Sequence, residues 1–297
     1  MLIPQFPSFR DLAIEDKAIF DKLFYDNSPL ISEYTFTNIY SWKDAYGFKI
    51  CMLDDSVILS STAGNSVRFF EPIGKKDKKT LIKDVLKQKK GEFIRVHEAT
   101  ALLLENDETF CVELDRPNSD YLYRTDDLVQ LKGGKYDGKR NLIRKFKSSY
   151  GYEYIKLTND NARDIIDFET DWCVIKDCDS VDSLSNERKA LRQMVENFSG
   201  FGLTGAAIKV NGRICAAAIG ERLNGDTIVL HIMKAQPDMQ GLYQTINNEF
   251  LSKEARDFKY VNMEQDLGVE GLRKSKESYH PWQMIKKYTA RIKGQDM

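Results

Sequence analysis

The chain has 297 residues, of which 42% are hydrophobic and 30% charged, and its formal net charge is −1. This composition is typical of a globular protein with two domains of ordinary size, and it argues against a protein that coats nucleic acid with its whole surface. No apolar run approaches the roughly 20 residues that span a bilayer, and the first residues lack the basic and apolar regions of a secretory signal. We therefore expect a cytoplasmic protein.

The five cysteines are scattered along the chain at positions 51, 111, 173, 178 and 215. The spacing of Cys173 and Cys178 does not match a zinc motif, and no histidine cluster accompanies them. We expect neither a metal site nor a disulfide framework, but reduced thiols.

The first half predicts a helix around Ile19 and Leu23, a β-hairpin over residues 48–60 that turns at Asp54-Asp55, and a helix over residues 75–90. The second half predicts helices over residues 185–198 and 241–256, a hairpin over 206–219 that turns at Asn211-Gly212, and strands over 227–234 and 260–263. Because the order of elements recurs, we interpret the chain as a diverged structural duplication.

Between the halves lies a basic segment over residues 132–150, which predicts a helix. From Lys132 to Lys147 it holds seven lysines and arginines against one acid, and Arg140, Arg144 and Lys147 fall on one helix face. One interpretation is a solvated basic face. The other is a face that binds the phosphates of a nucleotide or RNA, although no P-loop motif is present.

The polar residues of the second half suggest where chemistry could occur. His231 lies in a predicted central strand, where such a residue is usually a hydrogen-bonded core residue and less often catalytic. Glu264 and Asp266 follow the next strand, where acids line ligand crevices or simply cap the next segment. The stretch 271–282 is dense in polar and aromatic residues, and we expect it to be functional and too irregular for an ordinary amphipathic helix.

Three groups of motifs resemble a known family. They are Glu33-Tyr34-Thr35-Phe36-Thr37-Asn38 with Trp42, then residues 121–141, then residues 264–281. Gly271-Leu272-Arg273, Lys276, Tyr279 and Pro281 are similar to a Gly-Leu-Arg-x-x-Lys-x-x-Tyr/Phe-x-Pro run. The chain thus resembles the DUF2156 family, which is grouped with the C-terminal domain of phosphatidylglycerol lysyltransferases.

The resemblance implies an α/β (α+β) fold of two tandem GNAT-like domains, each a mixed twisted sheet flanked by helices. We assign residues 1–125 to a non-catalytic domain without converging polar groups in its cleft. Residues 126–297 form the second domain, which includes the basic linker helix 135–150 and a main pocket lined by 228–243 and 262–282.

The resemblance also implies transfer of an aminoacyl or acyl group to the amine or hydroxyl of a small-molecule or lipid-like acceptor. The chain departs from the family in lacking a multi-pass membrane region. The turn Asp238-Met239-Gln240-Gly241-Leu242-Tyr243 also matches the acetyl-CoA loop Arg/Gln-x-x-Gly-x-Gly/Ala poorly. The candidate donors are aminoacyl-tRNA and, as the alternative, acyl-CoA. A non-catalytic ligand-binding module on the same fold is the rival class.

Roles follow for individual residues. Glu264 or Asp266 would act as base or hold an α-amino group, and Tyr279 would donate a hydrogen bond. Substrate contacts fall to Arg273, Lys276, His231, Tyr243 and Asn262, and donor phosphate contacts to Lys135, Lys139, Arg140 and Arg144. A tRNA donor requires that the basic residues of 132–147 converge on one face with Arg273, Lys274, Lys276, Lys286 and Lys287.

Overall fold

The computed structural model describes residues 2–63, 66–176 and 182–295. The chain divides into two compact units. The first comprises Met1–Tyr121, Gln265–Lys274 and Met284–Met297, and the second comprises Leu122–Glu264 and Ser275–Gln283. Each unit is built around a mixed sheet of seven strands flanked by helices.

The first sheet belongs to the first unit. Its strands are β1 (Arg10–Asp11), β2 (Lys49–Leu53), β3 (Ser56–Ala63), β4 (Ser66–Phe70), β5 (Glu92–His97), β6 (Phe110–Leu114) and β14 (Lys287–Ile292). The helices are α1 (Lys17–Asn27), α2 (Phe36–Ser41), α3 (Lys43–Tyr46), α4 (Lys78–Gln88) and α5 (Glu98–Glu105), with short 3-10 turns η1 (Ile14–Asp16) and η2 (Arg116–Asn118). The strand order is β1-β2-β3-β4-β5-β14-β6, and β4 and β5 run parallel to each other.

The second sheet takes its strands from residues 120–285. Its strands are β7 (Asp120–Arg124), β8 (Tyr152–Lys156), β9 (Thr204–Val210), β10 (Arg213–Arg222), β11 (Thr227–Ala235), β12 (Tyr260–Asn262) and β13 (Gln283–Ile285). The helices are α6 (Thr125–Gln130), α7 (Asp137–Ser149), α8 (Asp164–Lys176), α9 (Asp182–Glu196), α10 (Leu242–Glu254) and α11 (Glu270–Glu277), with a 3-10 turn η3 (Gly134–Tyr136). The order is β13-β7-β12-β11-β10-β9-β8.

The two strand orders match when the second is read backwards. Each sheet also contains one strand that comes from the other half of the sequence. In each sheet four antiparallel strands lead to a parallel neighbour, β4 with β5 and β11 with β12. The strand after the parallel pair comes from the other half of the sequence: β14 completes the first sheet, and β7 completes the second. Two mixed sheets of this order confirm the predicted α/β fold class, and the duplication is visible in the topology.

This exchange also changes the division of the chain. The sequence assigned all of 126–297 to the second domain, whereas residues 265–274 and 284–297 belong to the first unit. The physical reason is that β14 forms its hydrogen bonds with β5 and β6. A local sequence pattern carries no information about such a distant partner.

The predicted hairpins are confirmed. Strands β2 and β3 pair across Asp54-Asp55, and β9 and β10 pair across Asn211-Gly212. Asn211 and Gly212 have φ angles of 50° and 78°, which is the conformation that a type I′ turn requires. The prediction for 271–282 is wrong at its start, because Glu270–Glu277 forms the regular helix α11. An ion pair of 2.5 Å between Lys274 and Glu270, one turn apart, stabilises this polar helix.

The cysteine expectation is confirmed only in part. Cys51, Cys111 and Cys215 are free, but Cys173 is disulfide-bonded, so the expectation of reduced thiols throughout is wrong there. Cys178 lies outside the described residues. None of the helices in the described part of the chain combines the length and the apolar character that a bilayer crossing needs.

The first unit contains a cavity of about 150 Å³. Its lining includes the polar residues Glu71, Lys78 and His97 beside an apolar wall. The expectation that the first domain lacks converging polar groups is therefore wrong.

Candidate active site

His231 lies in β11 and is held between two glutamates of the second unit. Its Nδ1 is 2.9 Å from Oε1 of Glu264, and its Nε2 is 2.9 Å from Oε1 of Glu221. The imidazole is 1% exposed. Burial opposes the charged ring, but hydrogen bonds and charges from both glutamates raise the pKa of His231 to about 9. At neutral pH the ring is therefore a cation that donates from both nitrogens, and it has no lone pair to accept a proton or bind a metal.

The backbone around β12 places Glu264. The pairing of β11 with β12 ends at Val229 and Asn262, so the chain leaves the sheet just before Glu264. Glu264 has a φ of 57°, and its N–H donates to Oδ1 of the buried Asn262 over 2.8 Å. This turn brings the carboxylate back to His231, and it gives Asn262 a positioning role.

Tyr279 forms a second polar group in the same unit. Its side chain is buried, and burial raises the pKa of Tyr279, so the phenol stays protonated and can donate. The side chain of the buried Asn247 lies beside the Tyr279 hydroxyl, and Oδ1 of Asn247 has no hydrogen-bond partner among the residues with described positions. A buried oxygen without a partner is uncommon in native proteins, and a bound molecule that donates a hydrogen bond would satisfy it.

Lys139 and Tyr243 border Tyr279. The ammonium of Lys139 lies 3.9 Å from the centre of the Tyr279 ring and donates to Oγ of Ser278 over 2.6 Å. Burial lowers the pKa of Lys139. Tyr243 is 36% exposed as a residue, yet desolvation of its hydroxyl raises the pKa of Tyr243 to about 12. The structure thus brings together three residues that the sequence had placed in separate roles.

The turn before α10 is occupied by α7. Gly241 has a φ of 89°, and a Cβ built on it would lie 2.1 Å from the carbonyl oxygen of Leu142 and 3.1 Å from Cβ of Phe146. Lys145 of α7 donates to Gln240 in the same turn over 2.5 Å. The backbone of α7 therefore packs closely against Gly241 at the start of α10.

The sequence of the chain matches a family over most of its length. Residues 28–291 match the family described as phosphatidylglycerol lysyltransferase, C-terminal. The chain belongs to this family.

Solved structures agree with this assignment. A protein of unknown function from Bacteroides thetaiotaomicron is 33% identical over 98% of this chain and 100% of its own, with a TM-score of 0.90. A DUF2156 domain of an Agrobacterium fabrum protein assigned to the lysylphosphatidylglycerol synthetases is 14% identical over 94% and 92%, with a TM-score of 0.67. L-PGS from Bacillus licheniformis is 14% identical over 87% and 92%, with a TM-score of 0.61. The last two show the shared fold. No curated protein sequence matches significantly.

In this member of the lysyltransferase C-terminal family, Asp266 and Arg273 form a separate network in the first unit. Arg273 binds Asp266 through Nε over 3.0 Å and through NH2 over 3.2 Å. Asp266 also accepts from Arg116, Tyr121 and the N–H of Gly268. Burial opposes the carboxylate, but these donors lower the pKa of Asp266. The arrangement gives Asp266 and Arg273 a structural role, so Glu264 alone remains as the predicted base.

Lys276 is placed in the second unit, near the end of β12. Its ammonium donates to the carbonyl of Met263 over 2.6 Å, and its own carbonyl accepts from the hydroxyl of Tyr123 over 2.8 Å. These bonds fix the chain on either side of Glu264 and Tyr279, so Lys276 supports the site that it was predicted to line.

The C-terminal cations that a tRNA donor would require are mostly engaged with acids. Lys287 is fully buried in the first unit, where it is ion-paired with Glu33 and with Asp120. The other C-terminal cations have local partners: Lys274 binds Glu270, Lys286 binds Glu98, and Arg273 binds Asp266. Burial and local pairing keep these cations from forming the expected phosphate-binding face.

The cations of η3 and α7 differ in whether they have an acidic partner. Arg140 donates to the carbonyls of Leu131 and Gly133 and to Asp137, and Lys147 donates to Glu249 over 2.5 Å. Lys135 lies over the Tyr136 ring, and Arg144 donates to the uncharged Asn141. Of the predicted phosphate ligands, Lys135 and Arg144 are therefore those without an acidic partner among the residues described, while Lys139 turns toward Tyr279.

Sequence reasoning missed Glu221 and Asn247. Glu221 follows an apolar run in β10 and was indistinguishable from an acid at a strand end. Asn247 lies in a helix whose pattern of apolar residues predicted only packing. No local signal marked either residue, because their partners are distant in sequence.

Proposed function

We propose that the chain is an acyltransferase that moves an aminoacyl group from an aminoacyl-tRNA to the amine or hydroxyl of a small or lipid-like acceptor. The observation that carries this proposal is the pair of glutamates around the buried cation of His231. Family membership supports the reaction class, and the relatives assigned to lysylphosphatidylglycerol synthesis suggest the donor and the lipid-like acceptor.

The charge of the glutamate pair favours a cationic guest. Two carboxylates and one imidazolium sum to a net charge of −1, and Glu264 is the more exposed of the two acids, at 21% against 11%. An ammonium group bound at Glu264 would neutralise the site. A carboxylate in contact with an amine is also placed to take the proton that the amine must lose before it attacks.

The reaction then needs one proton transfer in each direction. The acceptor nitrogen attacks the ester carbonyl carbon, a C–N bond forms, and a proton moves from nitrogen to Glu264. The ester C–O bond breaks, and the ribose oxygen takes a proton from the hydroxyl of Tyr279, after which both residues exchange protons with solvent. Tyr279 supplies a hydrogen-bond donor and Asn247 an acceptor for the bound aminoacyl group.

The filled turn at Gly241 favours an aminoacyl-tRNA donor over acyl-CoA. Acyl-CoA binding in GNAT-like domains needs open backbone N–H groups at this turn for its pyrophosphate. Here the carbonyl of Leu142 lies against the turn. An aminoacyl-tRNA does not need this turn. Lys135 and Arg144 are available for its phosphates, whereas the buried Lys287 is not, so tRNA binding here would rest on fewer cations than the sequence suggested.

The test is single-turnover decay of a labelled aminoacyl-tRNA pool with purified protein and a mixture of amine and lipid acceptors. We expect the wild-type chain to move the label into an acceptor, and Glu264→Gln to slow this step about 10²-fold or more, because general base catalysis typically contributes that much. Glu270→Gln, which removes an exposed acid paired only with Lys274, is the matched control.

Two further binding measurements separate an aminoacyl-tRNA donor from acyl-CoA and from a ligand-binding module without activity. Calorimetry should detect no binding of CoA, and the double variant Arg144→Gln/Lys135→Gln should lower the log–log salt dependence of tRNA binding by roughly 0.7–0.9 for each lost contact. Consumption of acyl-CoA in place of aminoacyl-tRNA would identify the other donor class. Binding without any group transfer, unchanged in Glu264→Gln, would identify a ligand-binding module.

A further inference from the structure

The cavity of the first unit has one apolar wall and one polar wall. Phe24, Ile31 and Ile73 are buried and form the apolar wall, with Leu30 at the rim at 42% exposed. Its volume of about 150 Å³ is that of an apolar cavity that accepts benzene. A compact apolar group therefore fits.

The polar wall carries no net charge. The buried Glu71 is ion-paired with Lys78 and accepts from Thr100 over 3.1 Å and from the N–H of His97 over 2.6 Å. Burial lowers the pKa of His97, so its ring is neutral at pH 7. Lys78, Glu71 and the neutral ring of His97 together carry no net charge. The wall therefore has no excess charge to compensate a charged ligand for its loss of hydration.

The same wall offers hydrogen-bond donors that lack acceptors. Nδ1 of His97 accepts from the N–H of Ala99 over 3.2 Å, so in the neutral ring the proton is on Nε2. Within residues 2–63, 66–176 and 182–295, no acceptor contacts that Nε2–H, and Lys78 has a single partner, Glu71. A ligand in the cavity would meet these two donors, and the lining also includes Asn27 and Ser28.

We infer that the first unit holds a binding site for a small uncharged molecule with an aryl or branched-alkyl body and one hydrogen-bond-accepting oxygen. The apolar wall takes the body, and Lys78 and His97 bind the oxygen. This site is independent of the transfer chemistry proposed for the second unit.

The test measures binding by ligand-observed NMR with three probes of similar size: benzamide, benzoate and isopropylbenzene. We expect benzamide to bind most tightly, about three- to tenfold more so than isopropylbenzene, because it gains one hydrogen bond. Benzoate should bind most weakly, since its charge would be buried without an offset.

Two variants locate the binding. Leu30→Trp plugs the rim from a half-exposed position and should abolish binding, with thermal unfolding to confirm that the fold persists. His97→Asn keeps an acceptor for Ala99 but removes the distal N–H, so it should weaken benzamide about three- to tenfold and leave isopropylbenzene unchanged. His280→Asn, in the second unit, is the matched control.

Three results would overturn the inference. Benzoate binding more tightly than benzamide would reverse the ligand class. Undiminished binding to Leu30→Trp would place the probes elsewhere. The absence of binding by all three probes at millimolar concentration would show that the cavity is not a ligand site.

Discussion

His231 holds a proton at pH values at which the same residue in an unfolded chain would not. Its pKa is raised to about 9, against an ordinary value of about 6.5. The contribution of the His231 proton to the unfolding free energy is fully present below pH 6.5 and is lost as the pH rises through 9. We expect about 2–3 kcal/mol of unfolding free energy to disappear across this window.

The measurement is denaturant unfolding of the wild type and His231→Gln at pH 6 and pH 9.5. The difference between the two proteins should shrink by that amount at the higher pH. Other groups titrate equally in both proteins and cancel. A difference that does not change with pH would mean that the ring is neutral in the folded chain.

Replacing Asp266 by Asn should mainly lower stability, whereas replacing Glu264 by Gln should mainly lower activity. Asp266→Asn leaves Arg116 and Arg273 without their carboxylate, and we expect the unfolding free energy to fall by about 2–4 kcal/mol while the folded protein keeps its activity. Glu264→Gln should lose activity and lower the unfolding free energy by less than Asp266→Asn does, because the His231 cation keeps Glu221 over 2.9 Å. Loss of kcat in folded Asp266→Asn would restore its predicted role as a base.

The role of a residue was predictable where its chemical type was unusual for its position in a predicted element. Glu264, His231 and Tyr279 stand out because an acid at a strand end, a histidine in an apolar strand and a conspicuous polar segment are each visible locally. Whether Asp266 or Glu264 faces a pocket was not visible. That choice depends on the backbone conformation at Glu264 and on arginines that lie far away or on a helix that was not expected.

At the scale of elements, the contact between α7 and the turn before α10 should be sensitive to a single methyl group. Gly241→Ala places a Cβ against the carbonyl of Leu142 and in an unfavourable φ region. We expect destabilisation of about 3 kcal/mol or more, from backbone strain and a steric overlap together.

Gly212→Ala is the matched control, because Gly212 also has a positive φ but no atom within 4 Å of the added Cβ. It should cost only about 1 kcal/mol, the strain alone. Thermal unfolding measures both. Equal costs would show that α7 moves aside easily, and the turn would then be open to phosphate after all.

Helices and hairpins with strong local signals were predicted well, since Asn211-Gly212 and the apolar periodicity of α4, α9 and α10 act over a few residues. The polar helix α11 was not expected, because its residues show no apolar stripe. Its stability rests on the ion pair of Glu270 and Lys274 and on the anchoring of Arg273 and Lys276 at distant atoms.

At the scale of the whole molecule, the burial of Lys287 links β14 to the first unit. Lys287→Met leaves Glu33 and Asp120 buried with a missing counter-charge, and we expect the unfolding free energy to fall by about 3–5 kcal/mol. Lys287→Met/Asp120→Asn should recover part of this loss, because Glu33 keeps Arg95 over 2.5 Å. A double variant no more stable than the single one would locate the loss in packing. Chemical denaturation measures all three proteins.

The exchange of β7 and β14 could not be predicted, although the duplication could. Repeated order of elements along the chain is a local property, but the choice of partner in a sheet depends on long-range pairing. For this reason the sequence suggested a boundary near residue 125 but gave no sign that residues 284–297 belong to the first unit.

The exchange has a consequence for biosynthesis. A domain usually folds as soon as its own residues have left the ribosome, but the strand between β5 and β6 is encoded by residues 287–292. The first 121 residues therefore emerge with a gap in their sheet, which stays open until residues 287–292 have been made. Until then the facing edges of β5 and β6 are unpaired, and unpaired strand edges are where a partly folded chain is prone to aggregate.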